Sequence, residues 1–122
     1  MFQKELGERI VAKENSKSYG RISVLSQSRF NIRKLFIASS NIFFPKPKVD
    51  GIVLEFTPIK EYKNIDIEKL ENILRKSFQQ RRKKIKSSLS EFKKILESNN
   101  FDLDLRAENL SVKDYCKLSK LI

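Results

Sequence analysis

The sequence lacks the side chains on which most enzyme chemistry depends. It contains no histidine, so the usual general base and the commonest metal ligand are both missing. Its only glycines are at positions 7, 20 and 51, and no two of them are spaced as G-x-G. Without such a loop the backbone has no obvious place to approach a phosphate or a cofactor. We therefore expect this chain by itself to hold no cofactor.

Cysteine and long apolar runs are equally scarce. The single Cys116 cannot form an internal disulfide or a thiolate zinc site, which indicates a reducing cytoplasm and a packing role for this thiol. No apolar run approaches the ~20 residues that a membrane-spanning helix requires. The first residues, MFQKELGERI, carry acids and do not resemble a signal peptide. The expected location is cytoplasmic, without a membrane partner.

Positive charge is what the sequence has in excess. The net charge is +11, and hydrophobic residues at 39%, including nine Phe, are enough for a folded core. Between Asn72 and Ser90 there are seven basic residues and no acid: Arg75, Lys76, Arg81, Arg82, Lys83, Lys84 and Lys86. A charge run can simply be a solvated face. The concentration of charge in this window instead favours a site for a polyanion, and we predict that these seven residues bind RNA.

Apolar periodicity predicts helices on both sides of this basic run. Leu70, Leu74 and Phe78 recur at helical spacing, but Arg81 would interrupt their stripe. Ser88 and Glu91 have the spacing of a capping box, which would begin a new helix. We expect a helix from about 66 to 78 or beyond, a break within 79–88, and a second helix to about 98.

The remaining segments predict an α+β fold with two domains, 1–59 and 60–122. The first would contain helices at 2–12 and 19–28 and antiparallel strands near 30–38 and 50–58, joined by a proline-containing connector at 42–49. Residues 1–3 could instead end a strand. Leu6 and Ile10 should face inward in the first helix, with Phe2 as a further candidate, and Ile22 and Leu25 in the second, with Val24 as a further candidate. A terminal helix should begin at Ser111 and bury Tyr115 and Leu118.

Several stretches together resemble the bacterial small-subunit ribosomal RNA adenine dimethyltransferase family. They are FQKELGERIVA, YGRISVL, IFFPKPKVDG, SFQQRRKKIKSSL and LRAENLSVKDYCKL, in that order over the whole chain. The Phe-x-Pro-x-Pro-Lys-Val and Phe-x-Gln-Arg-Arg-Lys patterns are the specific ones. Two departures are Ser39-Ser40, where the family usually has Pro-Pro, and Gly51, where it usually has Ser.

The resemblance implies a partial enzyme. It matches only the C-terminal part of the family: the end of a Rossmann-like methyltransferase sheet followed by an all-helical RNA-binding domain. The half that binds S-adenosylmethionine, with its glycine-rich loop and Asn-Leu-Pro-Tyr motif, has no counterpart here. By resemblance, Phe43 lines the pocket for the target adenine, and Arg81, Arg82 and Lys83 lie on the RNA-facing side. Arg106 and Glu108 match the closing motif, where an internal ion pair between them is the structural interpretation.

The function implied is dimethylation of two adjacent adenosines of small-subunit ribosomal RNA, with this chain as the target-recognition part. The family's cofactor is S-adenosylmethionine, and we expect none to bind this chain alone. The expected partner is small-subunit ribosomal RNA or the 30S-type subunit. If this chain is the product of a split gene rather than a fragment of a longer one, a separate chain that carries the donor-binding half is a further partner. One alternative is a non-catalytic RNA- or ribosome-binding module used in small-subunit assembly. Another is a relative that acts on a different nucleic acid.

Overall fold

The computed structural model describes the whole chain, Met1–Ile122, and confirms the α+β class. The strands are β1 (Phe2–Gln3), β2 (Phe30–Ala38) and β3 (Gly51–Pro58). The α-helices are α1 (Lys4–Val11), α2 (Arg21–Arg29), α3 (Ile67–Gln79), α4 (Ile85–Ser88), α5 (Lys93–Ser98) and α6 (Val112–Leu121). Short 3-10 turns occupy Ser40–Ile42, Ser90–Phe92 and Ala107–Asn109.

The three strands form one antiparallel sheet in the order β1-β3-β2. The predicted strands at 30–38 and 50–58 are confirmed, and the alternative that residues 1–3 belong to a strand is confirmed for Phe2–Gln3. β2 and β3 pair along their whole length, whereas β1 pairs only with Gly51 and Ile52. The ladder shifts register between Lys34 and Phe36, which leaves Leu35 as the extra residue of a bulge.

The first two helices are joined by side chains that reach the end of α1. Ser23 in α2 donates from its hydroxyl to the Arg9 carbonyl at 2.5 Å, and the Gln27 amide donates to the carbonyls of Ile10 and Ala12. α1 lies against the sheet at Gly7, which is buried on the side chain of Ile52. A β-carbon at position 7 would overlap the Ile52 side chain, so glycine is required for this close approach.

The basic segment is interrupted where predicted, although the second helix begins differently. Asp66 caps α3 by accepting from the backbone N–H groups of Glu68 and Lys69, and the helix ends at Gln79. The chain then forms α4 and a 3-10 turn before α5. The capping box predicted at Ser88 is wrong: the Ser88 hydroxyl is buried with no hydrogen-bond partner, and Glu91 instead pairs with Lys76.

The terminal helix begins as predicted. The Ser111 hydroxyl accepts from the Asp114 N–H at 3.1 Å, and the Asp114 carboxylate accepts from the Ser111 N–H at 3.0 Å. Tyr115 and Leu118 face inward and are fully buried, and Cys116 is buried as expected. Both α6 and α3 therefore pack into the hydrophobic core.

The largest buried cluster lies among the helices. Its twelve members are Ala12, Tyr19, Val24, Leu70, Ile73, Leu74, Ile85, Leu89, Leu96, Leu110, Tyr115 and Leu118. The first three come from residues 1–59, so the two predicted domains share this core. The predicted inward positions of Ile10 in α1 and Val24 in α2 are confirmed, whereas those of Leu6 and Ile22 are wrong, because both side chains are exposed.

Candidate nucleic-acid interface

The basic turn, residues 80–86 after the end of α3, is held by backbone contacts against residues 103–106. The Ile85 N–H donates to the Leu105 carbonyl at 2.7 Å and the Lys86 N–H to the Leu103 carbonyl at 3.3 Å. The backbones of Lys84 and Arg106 form an isolated antiparallel β-bridge. Ile85 is fully buried between the exposed Lys84 and Lys86. The buried Ile85 side chain and these backbone hydrogen bonds thus hold the basic turn in place at the surface.

Arg81 points inward from this turn. Its guanidinium donates to the backbone carbonyls of Tyr19 at 2.5 Å, Lys17 at 3.1 Å and Ser16 at 3.3 Å. It also pairs with the Glu108 carboxylate at 3.2 Å, and its side chain is only 34% exposed. The predicted ion pair between Arg106 and Glu108 is wrong, because Glu108 pairs with Arg81. Arg81 thus joins the helical region to the loop between α1 and α2.

Arg82 and Lys83 are exposed, and neither has an acidic partner within 4.0 Å. They are the members of the Arg-Arg-Lys run whose charge is free to meet a ligand. Arginine matches phosphate geometry with two parallel hydrogen bonds, and lysine offers a compact charge.

The other predicted cations have partners. Lys84 and Lys86 both lie 3.4 Å from the Asp104 carboxylate, and their hydrogen bonds and charge lower the pKa of Asp104. Lys76 pairs with Glu91 and lies 5.4 Å from the centre of the Phe92 ring, while Arg75 donates to the Asn72 side chain. Exposed pairs of this kind contribute little to stability, so a polyanion can displace the acids.

Phe43 lies on a separate surface, in the loop between β2 and β3. The Ser40 N–H donates to the Asp50 carboxylate at 2.9 Å, which draws the two ends of this loop together. Phe43 is half-buried and Phe44 is fully exposed, so the two rings do not both fill the core beneath the strands.

A cavity of about 720 Å³ is lined by residues 1–3, Phe43, Phe44 and parts of 45–51. None of the basic residues of 75–86 lines it. The structure therefore does not bring Phe43 and the predicted RNA-binding cations into one cavity.

All strand pairs of the sheet are antiparallel, whereas nucleotide-type cofactors of open α/β sheets bind in a crevice at the ends of parallel strands. No glycine has the positive φ of a tight phosphate-binding turn. The chain also contains no group of three or more potential metal-ligating side chains, and no helix long and apolar enough to cross a bilayer.

Sequence reasoning missed one group of surface residues. A cavity of about 760 Å³ between α1, α2 and the end of α3 is lined by Arg9, Lys17 and Arg21. These cations are scattered in the sequence, with Glu14 between Arg9 and Lys17, so no local run signals them. Arg81, which also lines this cavity, was predicted only as part of the basic run.

A cationic turn displayed on an α+β scaffold is typical of nucleic-acid-binding proteins. The family model described as ribosomal RNA adenine dimethylase matches residues 1–122, and the chain belongs to that family. It is 39% identical over 127 residues to ribosomal RNA small subunit methyltransferase A of Ehrlichia chaffeensis, covering 100% of this chain and 48% of the relative. It is 42% identical over 126 residues to the protein of the same name from Buchnera aphidicola, covering 100% and 46%. The chain spans about half the length of the curated relatives it matches.

Two solved structures share the fold. A dimethyladenosine transferase from Plasmodium falciparum matches with a TM-score of 0.80 at 21% identity, over 96% of this chain and 53% of that one. The 23S rRNA methyltransferase ErmE matches with a TM-score of 0.59 at 18% identity, over 98% and 51%. At these identities the likeness concerns the arrangement of strands and helices.

Proposed function

We propose that this chain is the RNA-binding and target-recognition part of an enzyme that dimethylates adenosines of small-subunit ribosomal RNA. The observation that carries the proposal is the exposed, unpaired Arg82-Lys83 turn in a chain whose whole length matches the family. These two side chains would bind RNA phosphates, and the partly paired Lys84 and Lys86 would join them as Asp104 is displaced. Arg75 and Lys76 would extend the same surface along α3.

Phe43 would have a different role. An enzyme that modifies a base must take it out of its stack and hold it against a flat side chain. Phe43 borders a cavity large enough for a base, and the fully exposed Phe44 beside it offers a second ring. Neither ring carries charge, so their contribution would be stacking on the target adenosine.

The part of the relatives to which this chain corresponds is their C-terminal half. The antiparallel sheet and the absence of a glycine cradle support this, because the other half would have to supply the S-adenosylmethionine site. The chain alone would then bind no methyl donor and transfer no methyl group. A donor-binding polypeptide, on the same or a separate chain, would complete the enzyme in the cytoplasm.

Reconstitution in cells tests this assignment. The chain would be co-expressed with either the N-terminal or the C-terminal half of a relative, in a bacterium that lacks the dimethyltransferase. We expect dimethyladenosine in small-subunit RNA only with the N-terminal half, detected by primer extension or mass spectrometry. Methylation with the C-terminal half, or by the chain alone, would contradict the assignment.

RNA binding is tested by a salt titration. Each phosphate neutralised releases counterions, so the logarithm of affinity should fall with the logarithm of salt by roughly 0.7–0.9 per contact. Arg82→Ala with Lys83→Ala should flatten this slope by about one to two, whereas Phe43→Ala should leave the slope unchanged. Lys113→Ala with Lys120→Ala, two exposed cations on α6, is the matched control. If the Arg82 and Lys83 variant binds like wild type, the basic turn is only a solvated face.

A non-catalytic module for small-subunit assembly is the second candidate, favoured by the lack of a donor site. It predicts binding to small subunits with no methylation even when the N-terminal half of a relative is present. The reconstitution therefore separates the two functions.

A further inference from the structure

The cavity between the first two helices and α3 combines charge with apolar surface. Its volume of about 760 Å³ lies within the range of about 300–1,000 Å³ that is usual for small-ligand sites. Ile22, Leu25 and Phe78 form its apolar lining. Four cations, Arg9, Lys17, Arg21 and Arg81, also line it, together with one acid, Glu5.

The cations that line this cavity are available to an anion. Lys17 has no acidic group within 4.0 Å, and Arg21 is 4.0 Å from Glu71 in a loose pair. Arg9 pairs with Glu5 at 3.0 Å, but the two side chains are 57% and 81% exposed, so solvent weakens this pair. Arg81, which also lines the cavity, keeps its partner Glu108.

The apolar lining is held firmly. The Phe78 ring packs edge-on against Tyr19 at 6.1 Å between centroids and lies 5.9 Å from Tyr115. The Arg81 guanidinium carbon lies 5.7 Å from the centre of the Phe78 ring. Ile22 is 38% exposed and therefore presents apolar surface to the cavity that it lines. Aromatic and guanidinium planes of this kind are the surfaces on which unpaired bases stack.

We propose that this cavity binds an unstacked nucleotide of single-stranded RNA. The base would lie against Ile22 and Phe78, and Lys17 and Arg21 would contact the adjoining phosphates. Arg81 lines the cavity while its neighbour Arg82 is exposed on the basic turn, so the RNA path would continue from that turn into the cavity. The inference rests on the proposed RNA-binding function and adds a second, base-accepting contact to it.

The test compares binding of the whole chain to a single-stranded oligonucleotide and to a duplex of the same length. Lys17→Ala with Arg21→Ala should flatten the salt dependence for the single strand by about one to two. Ile22→Ser should weaken single-strand binding about fivefold, leave the salt slope unchanged and reduce the preference over the duplex, because it removes only apolar contact. Lys113→Ala with Lys120→Ala is again the control, and circular dichroism confirms folding.

A photo-cross-link gives a direct readout. Oligonucleotides that contain 4-thiouridine should form adducts with the wild-type chain in peptides that contain residues 17–25 or Phe78. The Ile22→Ser variant should lose most of these adducts. Adducts confined to other peptides would overturn the proposal.

The outcomes separate this proposal from the broader one. If Arg82→Ala with Lys83→Ala weakens binding while the Lys17 and Ile22 variants behave like wild type, the cavity proposal fails and the RNA-binding function stands. If none of the variants weakens binding, both the cavity proposal and the proposed RNA-binding function fail. Adenosine monophosphate that saturates the cavity with the affinity of the oligonucleotide would assign it to a free nucleotide and overturn the RNA proposal.

Discussion

The sheet region, 1–59, and the helical region, 60–122, differ in what they do with apolar side chains. Nine of the twelve residues in the main core come from the helical region. Ten of the eleven large exposed hydrophobic residues come from the sheet region, including Leu35, Phe36 and Ile37 in a row on β2. Both regions have the composition to form a core, but only the helices close around one. The stability of the chain should therefore depend mainly on the helical region.

The largest expected effect is in the helical core. Leu74→Ala should lower the free energy of unfolding by about 2–5 kcal/mol, because Leu74 is fully buried and its removal leaves a cavity. The same change at Leu35, which is exposed at the β2 bulge, should cost no more than about 0.5 kcal/mol. Urea unfolding followed by circular dichroism measures both. Equal losses would mean that the two regions share stability evenly.

The next effect tests the connection between the regions. Arg81→Ala should lower the free energy of unfolding by about 1.5–3 kcal/mol, since it removes charge-assisted hydrogen bonds to carbonyls of the α1–α2 loop. Arg82→Ala should change stability by less than about 0.5 kcal/mol. When RNA affinity is compared at equal folded fraction, Arg82→Ala should lower it more than Arg81→Ala does. A stable Arg81→Ala variant would show that the other contacts of the loop, such as the hydrogen bond from the Tyr19 hydroxyl to the Leu110 carbonyl, are sufficient to hold it.

A smaller effect depends on pH. Burial raises the pKa of the Cys116 thiol from 9.0 to about 12, so the unfolded chain loses this proton first as pH rises. The associated stability is complete below pH 9 and should fall by about 1 kcal/mol between pH 9 and 10. Burial also raises the pKa values of Tyr19, Tyr62 and Tyr115, which add to the loss above pH 10. Urea unfolding at pH 8, 9 and 10 should show a shallower decline for Cys116→Ala than for wild type.

The smallest effect distinguishes two serines of the helical region. Ser111→Ala should cost about 1 kcal/mol because it removes a helix cap. Ser88→Ala should be neutral or slightly stabilising, because its buried hydroxyl has no partner to lose. Thermal unfolding of the two variants side by side gives the comparison. A loss at Ser88 as large as that at Ser111 would mean that a bound water satisfies its hydroxyl.

Local patterns predict both long strands and α3. The branched and aromatic residues of 30–38 and 50–58 predicted both strands, and the apolar spacing from Leu70 to Phe78 predicted α3. What failed depended on distant partners. Ser88 and Glu91 have the spacing of a capping box. In the structure Leu89 is buried and Glu91 forms an ion pair with Lys76, so the capping box does not form.

The candidate site shows the same limit. The exposed Arg82 and Lys83 were predictable from the run that contains them, whereas the inward turn of Arg81 was not. Its partners in the α1–α2 loop and at Glu108 are far away in sequence. The cavity lined by Lys17 and Arg21 was missed for the same reason, since only the fold brings these residues beside Phe78.

The contact of Gly7 with Ile52 has a consequence for how this sequence can evolve. The Ile52 side chain fills the space that a side chain at position 7 would need. The overlapping atom is the γ-methyl group of the Ile52 β-branch, so alanine at position 7 becomes compatible only with a residue at position 52 that lacks this methyl group, and homologous sequences should vary at these two positions together. A change at position 7 that comes first would be selected against, while the same change after position 52 has lost its β-branch would be accepted. Two positions far apart in the chain thus set the order in which each of them can mutate.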